Sequence, residues 1–192
     1  MSVSREAPEE EIAARAAASI RAGGLVLYPS DTVYGICCSA LDRAAVRRLA
    51  GLKGYTLPRP FVIVVFDTDA ALELALPPET GVMDRLARWW PGPVSVVLPA
   101  GPACPSWVQA PDGTVALRVP ADPLGRMLLR MAETPLVSSS ANTASGAPAL
   151  SVEDVECKVL AGVDLVIDGG RLPPSRPSEI LRPVPGGVER IR

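Results

Sequence analysis

Short apolar runs rich in β-branched residues recur along this chain, and helix-like segments separate them. We expect strands over residues 25–28, 61–66, 94–98, 115–119, 136–139, 165–167 and 179–181, with a last strand over 188–191. The runs and the helical segments alternate without a strict period, which favours a mixed sheet over a purely parallel one. The sequence therefore predicts an α/β fold built on a twisted, open, mixed β-sheet with flanking helices.

Helix boundaries are marked by capping residues. Pro8 and three glutamates at 9–11 begin a helix that the glycines at 23–24 end. Asp42 is placed to cap a helix over 43–52, and Asp122 to cap one over 123–132. Further helices are expected over 69–76, 78–90 and 152–160. We find no internal repeat or linker, so residues 1–192 are expected to form a single domain.

Composition limits the class of protein. The 192 residues are 48% hydrophobic, which is enough for a substantial core, and no apolar stretch approaches the roughly 20 residues that a membrane-spanning helix needs. The N-terminal segment has acidic residues early and no signal-peptide pattern, so we expect a cytoplasmic protein with no membrane association. The four cysteines show no paired spacing and are expected to be reduced.

The chain contains no histidine, and this limits its chemistry. Catalysis by a Ser-His-Asp or Cys-His arrangement, zinc bound by histidine and acid–base steps at an imidazole are all excluded. An enzyme of this composition acts through carboxylates, lysine, arginine, hydroxyls, backbone dipoles or a magnesium ion. Such groups suit positioning and charge neutralisation, as in nucleotidyl transfer.

Two predicted strands end in clusters of polar residues. The first run, LVLYPSDTVYG over 25–35, carries the hydroxyls of Ser30 and Thr32, the carboxylate of Asp31 and the phenol of Tyr34. The second, LVSSSANTASG over 136–146, carries three serines and Asn142. Ligands of open α/β sheets bind at such strand ends, although a solvent-facing turn explains either cluster taken alone.

A further strand, TVALRVP, places Thr114 and Arg118 four residues apart. Side chains at that spacing project from the same face of a strand. A hydroxyl and a permanent cation are thereby offered to one surface of the sheet.

Taken in order, these segments resemble the YrdC-like threonylcarbamoyl-adenylate synthases. The matching motifs run from about Ile12 to Arg192 and are YPSDTVYG, LKG with a basic residue before Pro60, RWWPGPVSVVLPAG, TVALRVP, SSSAN and DGG…PSEI. The resemblance implies a YrdC-like sheet with a concave, partly basic ligand cleft. It also implies a nucleotidyltransferase that forms threonylcarbamoyl-AMP and pyrophosphate from L-threonine, bicarbonate and ATP, for the threonylcarbamoyl modification of adenosine in tRNA.

The same resemblance implies partners and cofactors. Mg²⁺ would arrive with ATP and take no ligand from the protein, and no covalent cofactor is expected. The product would pass to threonylcarbamoyl transferase proteins, and tRNA or double-stranded RNA is a further candidate partner.

Site residues follow from positions that match the family's motifs. The residues expected to act in catalysis are Lys53, Arg59, Ser140 and Asn142. Those expected to bind threonine are Thr32, Arg118, Ser140 and Ser178, with Arg118 gripping the substrate carboxylate. Those expected to bind the nucleotide are Lys53, Tyr55, Arg59, Thr114 and Asn142. Ordinary structural roles stay open for Lys53, as a helix C-terminal cation, and for Arg118, as a surface ion pair.

Two positions depart from the family's pattern. Tyr55 stands where the family has an arginine, and Val64 stands where many members have a histidine. A tyrosine supplies no permanent cation to a polyphosphate, so one phosphate contact is expected to be missing. A Tyr55→Arg variant tests this: a large gain in ATP-dependent pyrophosphate release would show that Tyr55 impairs the phosphate contact.

Two alternatives stay open. One is a divergent paralogue that handles another carbamoyl or adenylate substrate, favoured by Tyr55 and Val64. The other is a non-catalytic RNA-binding module, which the net charge of −2 disfavours. The stretch over 169–192 is locally basic, and its arginines are suited either to phosphates or to solvent.

Overall fold

The computed structural model of the chain describes residues 2–3, 8–77, 80–143, 146–174 and 178–192. Its strands are β1 (Ser2–Val3), β2 (Val26–Pro29), β3 (Tyr34–Ser39), β4 (Val62–Val64), β5 (Val94–Pro99), β6 (Thr114–Arg118), β7 (Leu136–Ser140), β8 (Leu165–Ile167), β9 (Glu179–Val184) and β10 (Gly187–Arg190). Its α-helices are α1 (Glu9–Arg21), α2 (Arg43–Leu52), α3 (Thr68–Leu74), α4 (Thr80–Trp89), α5 (Pro123–Ala132) and α6 (Cys157–Gly162).

All ten strands belong to one sheet, in the order β1-β8-β2-β3-β7-β4-β6-β5-β9-β10. The pairs β1/β8, β2/β8, β4/β6 and β5/β9 are parallel, and the other pairs are antiparallel. The predicted mixed α/β sheet with flanking helices is therefore confirmed.

Side-chain alternation divides the core between the two faces of the sheet. On β2, Leu27 points into the larger cluster, which includes residues of α2, α3 and α6. Its neighbours Val26 and Tyr28 point into the smaller cluster, which α1 and α5 cover. Three of the cysteines, Cys37, Cys38 and Cys104, are buried as free thiols within these cores, and Cys157 is exposed.

Capping signals predicted the first and last residues of two helices correctly. The Asp42 carboxylate accepts hydrogen bonds from the amides of Ala44 and Ala45 at 2.8 and 3.1 Å, and α2 runs over Arg43–Leu52. The Asp122 carboxylate accepts from the Gly125 amide at 2.6 Å at the start of α5. These side chains satisfy amide groups that a helix leaves unpaired in its first turn.

Two expectations about local structure are wrong. The helix expected over 152–160 is a 3₁₀ turn, Val152–Asp154, followed by the separate α6, because Val155 is extended and its buried side chain packs in the larger core. No strand was expected between residues 28 and 43, but Tyr34–Ser39 forms β3, which pairs antiparallel with β2. The polar segment after β2 is thus the turn of a hairpin. The helix expected over 78–90 is seen from Thr80, since residues 78–79 lie outside the described residues.

Candidate active site

The two predicted polar clusters meet because β3 lies between β2 and β7. Gly35 of β3 pairs with Ser140 of β7, so the hairpin turn and the segment after β7 lie at the same edge of the sheet. Ser138 and Ser140 share a face with Leu136, which α1 and α5 cover. Beyond these helices the same face is open, and a cavity of about 480 Å³ lies over it.

This cavity collects most of the predicted site residues. Its lining includes Thr32, Lys53, Tyr55, Arg59, Ser140, Asn142 and Ser178. The lining also includes Lys53, Arg59 and Arg192 as cations, with no carboxylate among the described residues around it. A second cavity of about 470 Å³ contains none of the predicted residues and is lined mainly by apolar side chains. The polar cavity therefore suits an anionic ligand.

Ser30 holds the hairpin turn that carries Thr32. The Ser30 hydroxyl donates to the carbonyl of Val33 at 2.6 Å and accepts from the amides of Thr32 and Val33 at 3.2 and 3.3 Å. Thr32 is buried at the cavity wall, with its hydroxyl 3.2 Å from that of Ser30. Hydrogen bonding of this kind by a serine to its own turn fixes the backbone without secondary structure.

Tyr34 has a structural role, so its expected place in the polar binding cluster is wrong. Its side chain is fully buried. Its hydroxyl donates to the carbonyl of Gly170 at 2.8 Å and accepts from the Gly169 amide at 2.9 Å. A Cβ at Gly169 would lie 2.7 Å from Cγ of Pro29, so only glycine fits this approach. Tyr34 thus attaches the turn after β8 to the hairpin.

Lys53 follows α2 and is 5% exposed. Its ammonium donates to the carbonyls of Ser140 and Asn142 at 2.7 and 2.6 Å, and lies 3.5 Å from Asn142 Oδ1. Burial, together with the smaller effect of the nearby charge of Arg59, lowers the pKa of Lys53 to about 8, and Glu156 opposes this shift.

Tyr55 and Arg59 form a stacked pair at the cavity wall. The Arg59 guanidinium lies 3.7 Å from the centre of the Tyr55 ring, within the range of a cation–π interaction. Another cation of the lining follows β10: the Arg192 guanidinium lies 3.3 Å from the carbonyl oxygen of Ser178 and 3.5 Å from its hydroxyl. The stacking on Tyr55 therefore orients Arg59, which is one of the cations of the cavity.

Two predicted residues do not line the cavity. Arg118 is buried, forms an ion pair with Asp31, and donates from Nε to the carbonyl of Gly92 at 2.9 Å. The Thr114 hydroxyl donates to Asp112 at 2.6 Å, at the other end of β6. The two residues are four positions apart, which is about 13 Å along a strand.

The surroundings of Arg118 include a second acid. Burial raises the pKa of Asp122, and the charge of Asp31 adds to this effect, while the amide of Gly125 lowers the pKa. Arg118 also acts on Arg192, since burial and the charge of Arg118 lower the pKa of Arg192. The charge of Arg118 is therefore felt by a cation of the cavity, although Arg118 itself is not part of the cavity lining.

Several cavity residues were not predicted individually, and Arg192 and Ser138 are two of them. Arg192 appears in the sequence only as part of a basic C-terminal stretch, and nothing in the pattern separates it from the other arginines. Ser138 is identifiable from β-strand alternation, because it lies two residues before Ser140 and shares its face. The Ser138 hydroxyl lies 3.2 Å from the hydroxyl of Tyr28.

Comparison with known proteins identifies the family of this chain. The family model Sua5_yciO_yrdC, described as "Telomere recombination", matches residues 18–192. The chain belongs to this family. Threonylcarbamoyl-AMP synthase of Nitrosococcus oceani is 35% identical over 165 residues, covering 86% of this chain and 89% of the relative. The protein of the same name from Stenotrophomonas maltophilia is 33% identical and covers 91% and 95%.

Solved structures of the family share this fold. Pyrococcus abyssi Sua5 complexed with L-threonine superposes with a TM-score of 0.90 at 30% identity, covering 100% of this chain and 56% of that one. Escherichia coli YciO gives a TM-score of 0.85 at 22% identity, which supports the fold alone. Within the residues that the structure describes, no helix has the length and apolarity to cross a membrane.

Proposed function

We propose that this chain is a threonylcarbamoyl-AMP synthase that acts on L-threonine, bicarbonate and ATP. The observation that carries the proposal is a cavity in a member of this family that combines Thr32 and the β7 serines with cations and, among its described lining residues, no carboxylate. Small hydroxyls suit an amino acid, and guanidinium groups suit a triphosphate.

The chemistry requires positioning and charge neutralisation. The threonine amine and bicarbonate give a carbamate with loss of water, and a carbamate oxygen then attacks the α-phosphorus of ATP. The bond between that phosphorus and the bridging oxygen breaks, and pyrophosphate leaves with the electron pair. Arg59 and Arg192 neutralise the charge that develops on the leaving group, since both line the cavity.

Threonine is placed by the hairpin turn and β7. Thr32, Ser138 and Ser140 offer hydroxyls in the cavity lining, and Ser178 offers another. Arg118 is proposed to receive the substrate carboxylate, for which it must exchange the carboxylate of Asp31 or share its guanidinium with it. Val64 is buried in the core beneath α5 and contributes no polar group to the cavity.

Magnesium belongs to this proposal as part of the nucleotide substrate. No group of three or more Cys, Asp or Glu side chains that could hold a metal occurs among the described residues, and the described cavity lining carries cations instead. Mg²⁺ bound to ATP would shield the phosphates and leave with pyrophosphate. The cytoplasmic location and the transfer of the labile adenylate to a threonylcarbamoyl transferase for tRNA are parts of the same proposal.

Ion pairing bears on the RNA-binding alternative. Three arginines of the C-terminal stretch, Arg171, Arg182 and Arg190, are paired with Asp154, Asp112 and Glu179. Their charge is largely balanced locally, which weakens the case for a surface that binds RNA by phosphate contacts alone. Binding of tRNA or double-stranded RNA stays a prediction.

The test is incubation with ATP, Mg²⁺, bicarbonate and one amino acid at a time, with pyrophosphate and the carbamoyl-adenylate measured. Turnover that depends on threonine is expected, and an Arg59→Gln variant should lose most of it. Arg47→Gln is a matched control, because it removes the same charge from the exposed face of α2. Turnover with another amino acid would favour the divergent paralogue, and RNA binding without turnover would favour the RNA-binding module.

A further inference from the structure

Lys53 directs its hydrogen-bond donors at the protein. A protonated lysine has three N–H groups and no acceptor. In this structure the ammonium lies 2.7 Å from the carbonyl oxygen of Ser140, 2.6 Å from that of Asn142 and 3.5 Å from Asn142 Oδ1. Each N–H therefore has an oxygen within reach, and a phosphate could gain one only by displacing a protein carbonyl.

These contacts hold the segment that leaves β7. The Asn142 side chain donates through Nδ2 to the carbonyl of Gly146, and the Ala141 amide donates to the carbonyl of Tyr34 at 2.8 Å. Lys53 contacts both the main chain and the side chain of Asn142, so it fixes the residue from two directions. Among the described residues of the segment, Asn142 lies beyond the pairing of β7 with β3, and Lys53 connects it to the end of α2, while the next residue, Thr143, donates to Glu156 from its amide at 3.0 Å and its hydroxyl at 2.7 Å.

The burial of Lys53 also favours a role in holding the segment that leaves β7. Lys53 is 5% exposed, whereas Arg59, in the same wall, is exposed. The charged groups that act on the ammonium are Arg59 and Glu156, and they act in opposite directions on its pKa. A cation held this deeply, with carbonyl oxygens around it, is less available to a ligand than a guanidinium at the cavity surface.

We propose that Lys53 is a positioning residue that fixes the Ser140–Asn142 segment at the cavity wall, and that it does not donate to a phosphate. The catalytic consequence rests on the proposed function, because Ser140 and Asn142 are the residues that this lysine would hold in place. The effect on the segment itself is a property of the ligand-free protein.

Hydrogen exchange of the ligand-free protein tests the proposal. In a Lys53→Met variant the amides of residues 140–143 should exchange at least about tenfold faster than in the wild type, because charge-assisted hydrogen bonds are lost. Lys158→Met is the matched control, since Lys158 is the other lysine of the chain and is exposed on α6. Exchange of the same amides in this control should not change.

A Lys53→Arg variant separates the two roles and also serves if the methionine variant does not fold. It keeps the positive charge but replaces a compact ammonium with a planar fork. A positioning role predicts faster exchange of residues 140–143 and a loss of affinity for ATP and for threonine together. Unchanged exchange with normal ATP affinity in Lys53→Arg, or a loss of ATP affinity alone in Lys53→Met, would overturn the proposal. Failure of the wild-type protein to release pyrophosphate would refute the proposed function and leave the exchange result standing.

Discussion

Tyr55 stands where the family has an arginine, and a Tyr55→Arg variant distinguishes two interpretations of this difference. The sequence suggests that a tyrosine in place of an arginine removes a phosphate contact, so Tyr55→Arg should increase pyrophosphate release. In the structure the Tyr55 ring lies 3.7 Å beneath the Arg59 guanidinium. We therefore expect Tyr55 to orient Arg59, and we expect Tyr55→Arg to bring no gain.

The size of the effect follows from exposure. A cation–π interaction contributes about 0.5–1 kcal/mol at an exposed site, and Arg59 is exposed. Tyr55→Ala should therefore reduce kcat/KM for ATP by about two- to fivefold. In Tyr55→Arg the stack is lost and a like charge is added, which at 4 Å in water costs about 1 kcal/mol more. Tyr55→Phe keeps the ring and should stay within about twofold of the wild type.

Steady-state pyrophosphate release with ATP varied at saturating threonine measures these values. A double-mutant cycle with Tyr55→Ala and Arg59→Gln should show that the effect of the first variant disappears when Arg59 is absent. If Tyr55→Arg raised kcat/KM for ATP tenfold, the stacked pair would be an obstacle to catalysis, and a role of Tyr55 in orienting Arg59 would be refuted.

Three further predictions concern stability and pH. Asp42→Ala removes the cap of α2 and should lower the free energy of unfolding by about 1 kcal/mol in urea titration; an unchanged midpoint would mean that the cap is dispensable. Asp31→Asn breaks the ion pair with Arg118 and should cost roughly 2 kcal/mol while lowering the KM for threonine, because the substrate carboxylate no longer competes with Asp31; an effect on stability alone would remove Arg118 from the site. Pyrophosphate release should fall as pH rises through about 8, because Lys53 loses its proton there. A Lys53→Arg variant whose pyrophosphate release fell over the same pH range would assign that fall to another group. The contribution of Lys53 to the free energy of unfolding should instead rise between pH 8 and its ordinary pKa of 10.5, since the unfolded chain binds the proton more tightly over that range.

Local signals predicted much of the fold. Carboxylates before α2 and α5 gave both helices to the residue, because a cap depends on atoms within three positions of each other. The order of the strands could not be obtained in this way, since the pairing of β3 with β7 joins residues about a hundred positions apart. The break at Val155 was missed for a similar reason, as it depends on packing in the larger core.

The candidate site, like the fold, could be predicted from the sequence only in part. Residue types that bind anions were recognisable, and the structure places Lys53, Arg59 and Asn142 at one cavity. Partners across the fold were not recognisable: the phenol of Tyr34 bonds to the turn after β8, and the carboxylate of Asp31 bonds to Arg118. A sequence offers an inventory of polar groups, whereas the fold decides which of them are already satisfied by other protein groups.

The distribution of charge suggests how two anionic substrates are kept apart and still react. The described lining of the cavity includes cations and no carboxylate, and a triphosphate would be held there. Outside this lining, Arg118 is neutralised by Asp31, so a single substrate carboxylate could compete for it but a polyphosphate would meet a local negative charge. Arg192 lines the cavity, and burial together with the charge of Arg118 lowers its pKa, so the two arginines influence each other electrostatically. The amino acid carboxylate would then be bound at Arg118 and the β- and γ-phosphates within the cavity, and this separation would leave the α-phosphorus as the atom that the carbamate attacks.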